Sequence, residues 1–170
     1  MCEGKFINGK GFEMEERDFR NAMRKFTTGV TAILTDNDHS YHGMTANAFM
    51  SVSMQPCLIC VSLDHSSNTL QEIKVTEYFS VNILSEDQLD IAMHFAGQKE
   101  KEDKVHIGMM NGIPVIQESL ASVVCSLYQL NYVGDHTLCI GEVIDVRSMD
   151  GNPLMYYESG YVKQELREYK

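Results

Sequence analysis

The stretch HGMTANAFMSVSMQP, residues 42–56, decides how the rest of the chain is read. From His42 to Ser53 it has the two-residue alternation of a β-strand, with Met44, Ala46, Ala48, Met50 and Val52 on one face. The other face carries Gly43, Thr45, Asn47, Ser51 and Ser53, interrupted by Phe49. A strand that turns such a face to water ordinarily carries Lys, Glu or Arg there. Instead, no Asp, Glu, Lys or Arg occurs from Ser40 to Leu63, although charge is plentiful on both sides. A charge-free stretch dotted with hydroxyls and amides is expected to be covered by core, by ligand or by another subunit. Two readings of its polar face follow. Thr45, Asn47, Ser51 and Ser53 either satisfy backbone at strand bends, which pattern alone favours, or meet a ligand.

Upstream of this stretch, Phe19, Ala22, Met23 and Phe26 recur at helical spacing, and Gly29 stands where such a helix would stop. VTAILTD (30–36) reads as a strand and Asp36-Asn37-Asp38 as a turn. Residues 1–13, with three glycines and no apolar period, read as a flexible arm ahead of a single domain over 14–170. Downstream, CLICVSL (57–63) is a strand after the Gln55-Pro56 break, Thr69 to Lys74 a short helix, and YFSVNIL (78–84) another strand. DQLDIAMHFAG (87–97) is helical with Gly97 at its end, and GQKEKEDK (97–104) is a solvated loop. LASVVCSLYQLNYV (120–133) and HTLCIGEVIDVRSM (136–149) are strands around a Gly134-Asp135 turn, and LMYYESGYV (154–162) is expected to close the sheet. Many strands, few helices and short turns imply a mainly β antiparallel barrel or sandwich.

The bulk properties exclude several classes. A chain of 170 residues and 19.3 kDa fits one domain with a real core. A net charge of −10 argues against nucleic acid and against anionic membrane surfaces. No apolar run approaches the roughly 20 residues of a membrane span, and no signal peptide precedes the domain, so a cytoplasmic protein is expected. Five cysteines without framework spacing fit a reducing compartment. Cys57 and Cys60 form a C-x-x-C, but positions i and i+3 of a strand point to opposite faces and cannot share a metal or a disulfide. The histidines show no ligand spacing, so no metal is expected. Nor does any G-x-G-x-x-G fingerprint occur.

A second candidate is Asp64-His65-Ser66-Ser67-Asn68-Thr69, between a buried strand and a helix. Hydroxyls and N–H groups at a helix start suit a phosphate. Asn68 with Gln71, or Thr69 with Glu72, equally suits a capping box, and the two roles are compatible. His136, at a strand entrance, either reaches a ligand or is an exposed turn residue.

FRNAMRKFTTGVTAILT (19–35), HGMTANAFMSVSMQP (42–56), LDHSSNTL (63–70), FSVNIL (79–84), HFA (94–96), GDHTLCIGEV (134–143) and PLMYY (153–157) together resemble the short-chain flavin reductase family. The resemblance runs from about Phe19 to Val162. It implies an antiparallel Greek-key FMN-binding split barrel with flanking helices, working as a homodimer. It implies an NAD(P)H-dependent flavin reductase moving hydride from nicotinamide C4 to flavin N5, with FMN or FAD as flavin and NADH or NADPH as donor. A monooxygenase would be the partner that takes the reduced flavin. By position, Thr45, Ala46, Asn47 and Ala48 would line the isoalloxazine edge, with Ser51 and Ser53 close behind. Asp64, His65, Ser66, Ser67 and Thr69 would surround the ribityl phosphate, and Phe95 and Ala96 would approach from the next helix. His136 and Tyr157 would border the nicotinamide pocket. The chain departs from the pattern at Pro56-Cys57, where relatives often carry two prolines, and at Val105, where an aromatic is common. Two other roles suit the same barrel: an FMN-bearing electron-transfer protein of the flavoredoxin kind, reduced by a protein partner, or a flavin-free binding module.

Overall fold

The computed structural model describes residues 14–37, 40–99 and 105–163, together with the backbone of two short strands before them. Those two are β1 (Phe6–Ile7) and β2 (Lys10–Gly11), which pair with each other. Apart from them, the arm expected over 1–13 lies outside the described residues, as do part of the turn after Asp36 and most of the cluster over 97–104. The chain continues through α1 (Glu16–Met23), β3 (Thr28–Gly29), β4 (Thr31–Asn37), β5 (Ser40–Ala46), β6 (Phe49–Met54) and β7 (Cys57–Asp64). Then follow α2 (Asn68–Thr76), β8 (Tyr78–Ile83), α3 (Leu89–Phe95), β9 (Ile107–Met110) and β10 (Ile113–Ile116). The long hairpin β11 (Ala121–Val133) and β12 (His136–Ser148) precedes the short one, β13 (Met155–Tyr157) and β14 (Gly160–Val162).

Seven strands form one antiparallel sheet in the order β5-β4-β8-β11-β12-β7-β6. Its edge strands, β5 and β6, are consecutive in the chain and joined only by Asn47 and Ala48. A flat sheet of this width would hold its edges roughly 29 Å apart at a strand spacing of about 4.8 Å. The three chain steps from Ala46 to Phe49 reach only about 11 Å. The sheet therefore curls until its edges meet at this link, which gives the expected antiparallel barrel.

The curl creates two cores, and β4 feeds both. Ile33 packs inside with Val61, Leu63, Phe79, Val81 and Cys139, and with Leu70 and Ile73 of α2. Its neighbours Ala32 and Leu34 turn outward to Leu84, Ala92 of α3, Ile116 and Leu154. Coverage on both faces is why VTAILTD is apolar without alternation. Burial pushes the Cys125 and Cys139 thiols up to about 12, so both are protonated core side chains. Cys57 is exposed and Cys60 buried, so the two do not meet.

One buried polar group organises the outer core. The Asn82 amide donates to Ala32 O (3.1 Å) and Ser80 Oγ (3.0 Å), and its oxygen accepts from Ile116 N (2.9 Å) and Ser122 Oγ (3.0 Å). Ser80 in turn donates to Pro114 O at 2.6 Å. The network satisfies a buried amide completely and pins the β9–β10 hairpin to the sheet. That hairpin is an element the sequence reading passes over. Its signal was the Asn111-Gly112 turn, with φ of 50° and 80° at those residues, between two short apolar runs.

Four sequence expectations are corrected. Residues 42–53 are not one strand: the chain breaks at Asn47–Ala48 and β6 starts on the opposite edge, where Met50, Val52 and Met54 are exposed. The stripe of Phe19, Met23 and Phe26 is exposed too, because α1 lays it on no core of this chain, and the helix ends at Met23 rather than near Gly29, which sits in β3. LMYYESGYV does not close the main sheet; β13 and β14 form a separate three-stranded sheet with β3. The α2 cap is Ser67, whose Oγ accepts from Leu70 N at 3.3 Å, rather than Asn68 or Thr69. Among the described residues, no helix is long and apolar enough to cross a membrane, and no group of His, Cys, Asp or Glu is placed to hold a metal.

Candidate functional site

The link that closes the barrel also leaves backbone groups open. Its carbonyls are all engaged: Ala46 O accepts from Thr31 Oγ1 (2.7 Å), Asn47 O from Phe49 N (3.1 Å) and Ala48 O from Ser62 N (3.0 Å). Its N–H groups are not. Among the described residues, the N–H of Asn47 and that of Ala48 have no acceptor, and both residues are exposed. Two adjacent, fixed donors with no charged side chain in the surrounding segment suit a planar ligand bearing carbonyl and ring-nitrogen acceptors along one edge.

Neighbouring elements converge on this link. Thr45 donates to Ala92 O of α3 at 2.6 Å, so its hydroxyl ties β5 to that helix. Gly43, on the same strand, is required by close approach. A Cβ there would lie 2.6 Å from Phe95 Cε1 and would also meet Leu34. Glycine thus seats Phe95 directly on β5, where it also meets Tyr41 edge-on. Ala96 follows, exposed, at the C-cap of α3.

On the other side of the link, Ser62 leads to the Asp64 turn. Ser67 Oγ lies 3.1 Å from Met44 Sδ, which brings the start of α2 against β5. The turn is internally bonded. Asp64 Oδ1 accepts from Ser66 N (2.7 Å) and Ser66 Oγ (2.5 Å), and Asp64 O accepts from Ser67 N (3.0 Å). The two Ser66 bonds hold the Asp64 carboxyl below its ordinary value. What remains open is the first turn of α2, where the N–H groups of Asn68 and Thr69 have no acceptor among the described residues. The side chain of Thr69 itself is buried.

His136 pairs in register with Asp64, so β12 brings it to the same end. Its Nδ1 lies 2.8 Å from Asp135 Oδ1, a contact that lowers the Asp135 pKa. Tyr157 lies in β13, beside the Lys25–Glu158 ion pair. Ser51 is exposed on β6, and Ser53 Oγ accepts from Gln55 N at 3.2 Å, so it serves the turn before Pro56.

The structure adds residues that sequence spacing missed. A groove of about 240 Å³ runs from Asn47 between α1 and the β13–β14 turn, lined by Phe19, Met23, Phe26, Arg24 and Tyr156. These positions are far apart in sequence, and the single hint was an apolar helical stripe.

Residues 23–165 match the family model described as a flavin reductase like domain. The chain is 34% identical over 157 residues to an NADH-dependent flavin reductase of Rhodococcus sp, covering 91% of this chain and 89% of that one. It is 32% identical over 144 residues to the reductase component of a 4-hydroxyphenylacetate 3-monooxygenase from Thermus thermophilus, covering 84% and 93%. Among solved structures it resembles the flavin reductase PheA2 with a TM-score of 0.87 and 44% identity, over 90% of this chain and 100% of that one. The curled sheet and these matches define an oxidoreductase class. The chain belongs to the flavin reductase-like family, as the motif order implied.

Proposed function

We propose that this protein is a flavin reductase that uses NADH, takes FMN as bound or exchangeable flavin, and passes reduced flavin to an oxygenase. The observation that carries the reading is the pair of unpartnered N–H groups at Asn47 and Ala48 in a segment without charge. When bound, flavin supplies the two-electron chemistry that no side chain here offers. The link would hold the flavin's pyrimidine edge and meet negative charge developing there with fixed dipoles. Thr45 and Gly43 position the link and α3 through Ala92 and Phe95. The first-turn N–H groups of Asn68 and Thr69, just past the Ser66–Ser67 turn, would receive the phosphate. The groove beside Asn47 is the space where a nicotinamide could stack, with Arg24 as its cation. The orientation of donor and acceptor, rather than an acid or base, is then the main catalytic contribution.

The charge-free β6 edge supports a homodimer, since a lone chain gains nothing from Met50, Val52 and Met54 in water. Light scattering on the purified protein should give twice the monomer mass. A cytoplasmic location completes the reading, since NADH is supplied there. The decisive experiment is anaerobic mixing with FMN and NADH, then with NADPH. Bleaching of the flavin is expected with NADH, and its absence with both donors would overturn the proposal.

A further inference from the structure

Beside the turn at Asp64 lies a cluster that the proposed FMN contacts leave unused. Tyr132, near the end of β11, is 67% exposed even though its ring is contacted twice. The His65 ring meets it edge-on at 5.7 Å between centroids, with an interplanar angle of 70°. Lys74 of α2 holds its Nζ 5.6 Å from the ring centroid. The arrangement is fixed from below. Gln71 Nε2 donates to His65 O (3.0 Å), Lys74 donates to Gln71 Oε1 (3.3 Å), and His65 N donates to Asp135 O (3.2 Å).

The charges nearby are sorted. Asp64 is engaged by Ser66 and Asp135 by His136, and among the described residues no carboxylate pairs with Lys74. In a chain of net charge −10, an ammonium that among the described residues meets an amide oxygen but no carboxylate, beside an exposed aromatic ring, is a feature that needs a reason. Its surroundings supply one. An exposed aromatic surface for a base and a cation for a phosphate, set beside the proposed FMN phosphate site, are the complement of a second nucleotide.

We infer that Tyr132, His65 and Lys74 form a platform for the adenosine 5′-phosphate half of a dinucleotide, with the adenine on the Tyr132 ring and the phosphate on Lys74. The inference rests on the flavin reductase reading and deepens it, because two dinucleotides bring that half to this site: FAD, and the nicotinamide donor. A mononucleotide flavin leaves the platform empty.

Tyr132→Ala and Lys74→Ala test this through equilibrium binding of FMN and of FAD, followed by fluorescence quenching, and through the KM for NADH set against that for the reduced mononucleotide NMNH. If FAD brings the adenosine, its Kd rises about tenfold in either variant while that of FMN holds. If the donor brings it, both flavin affinities hold and the KM for NADH rises by a similar factor, with that for NMNH unchanged. Tyr132→Phe, which keeps the ring, should behave as wild type, and the retained mononucleotide values of Tyr132→Ala show that its loss is not a folding defect. No change in any of these quantities, or equal shifts for mono- and dinucleotide, would overturn the platform. Wild-type protein that binds neither flavin overturns the flavin reading itself, a separate result.

Discussion

Asn82 and Asn47 are the same residue type in opposite situations. Asn82 is fully buried, and its side chain makes four hydrogen bonds that join β4, β8, β10 and β11. Asn47 is exposed, its carbonyl serves the link, and its N–H is left open. A polar group whose partners are complete is a structural device. One that the fold holds rigidly but leaves unpaired is available to a ligand. The contrast separates the residues that keep the barrel from those that use it.

The largest expected effect is on the structural side. Asn82→Leu would strand Ile116 N–H, Ala32 C=O and the Ser122 hydroxyl in the core, at a cost of about 4 kcal/mol. Thermal unfolding should show a Tm lower by about 10 °C. A Tm within two or three degrees of wild type would mean that water or repacking replaces the network. Gly43→Val comes next. It forces Phe95 and Leu34 away from β5, with a destabilisation of about 2 kcal/mol. Because α3 must move, flavin affinity should fall together with stability, and an effect on stability alone would detach α3 from the site.

On the functional side the two readouts should separate. Asn47→Asp keeps the shape of the link but sets an anion beside the proposed flavin edge. Flavin Kd is expected to rise about tenfold with Tm almost unchanged, the reverse of Asn82→Leu. Ser67→Asp sharpens the same contrast at the phosphate end. Aspartate caps a helix as well as serine does, so α2 should persist while FMN binding weakens several-fold. Unchanged affinity in a folded variant would move the phosphate elsewhere.

The smallest effect is on acid stability. The Asp64 carboxyl is held below its ordinary value by Ser66, so its stabilising contribution is present above the ordinary carboxylate range, around pH 4. It is lost as pH falls through the lowered folded-state value. Asp64→Asn should therefore be slightly less stable than wild type at pH 6, and the difference should close toward pH 3. Denaturant titration at both pH values measures it.

Much of the fold was legible from local pattern. VTAILTD, CLICVSL, YFSVNIL and the 120–149 hairpin all appear as strands close to their expected bounds, because alternation and β-branched content act over neighbouring residues. Two features misled. HGMTANAFMSVS alternates throughout, so nothing in its period marks the break at Asn47–Ala48. The α1 stripe is periodic, yet periodicity states which side is apolar and not whether this chain covers it. At the candidate site, composition drew attention to Thr45–Ala48 and Asp64–Thr69. It could not separate Thr45, Ser53 and Asp64, whose side chains are occupied by the protein, from Asn47 and Ala48, whose N–H groups are open.

The sequence by itself determined the long core strands, the charge-free segment and the family, because each is written in the order and type of adjacent residues. Only the tertiary structure decided that two residues join opposite edges of a seven-stranded sheet, and that Tyr132 and Lys74 stand beside His65. Which hydrogen-bonding groups remain unpaired depends on every neighbour at once. That number is set by packing, and no local pattern contains it.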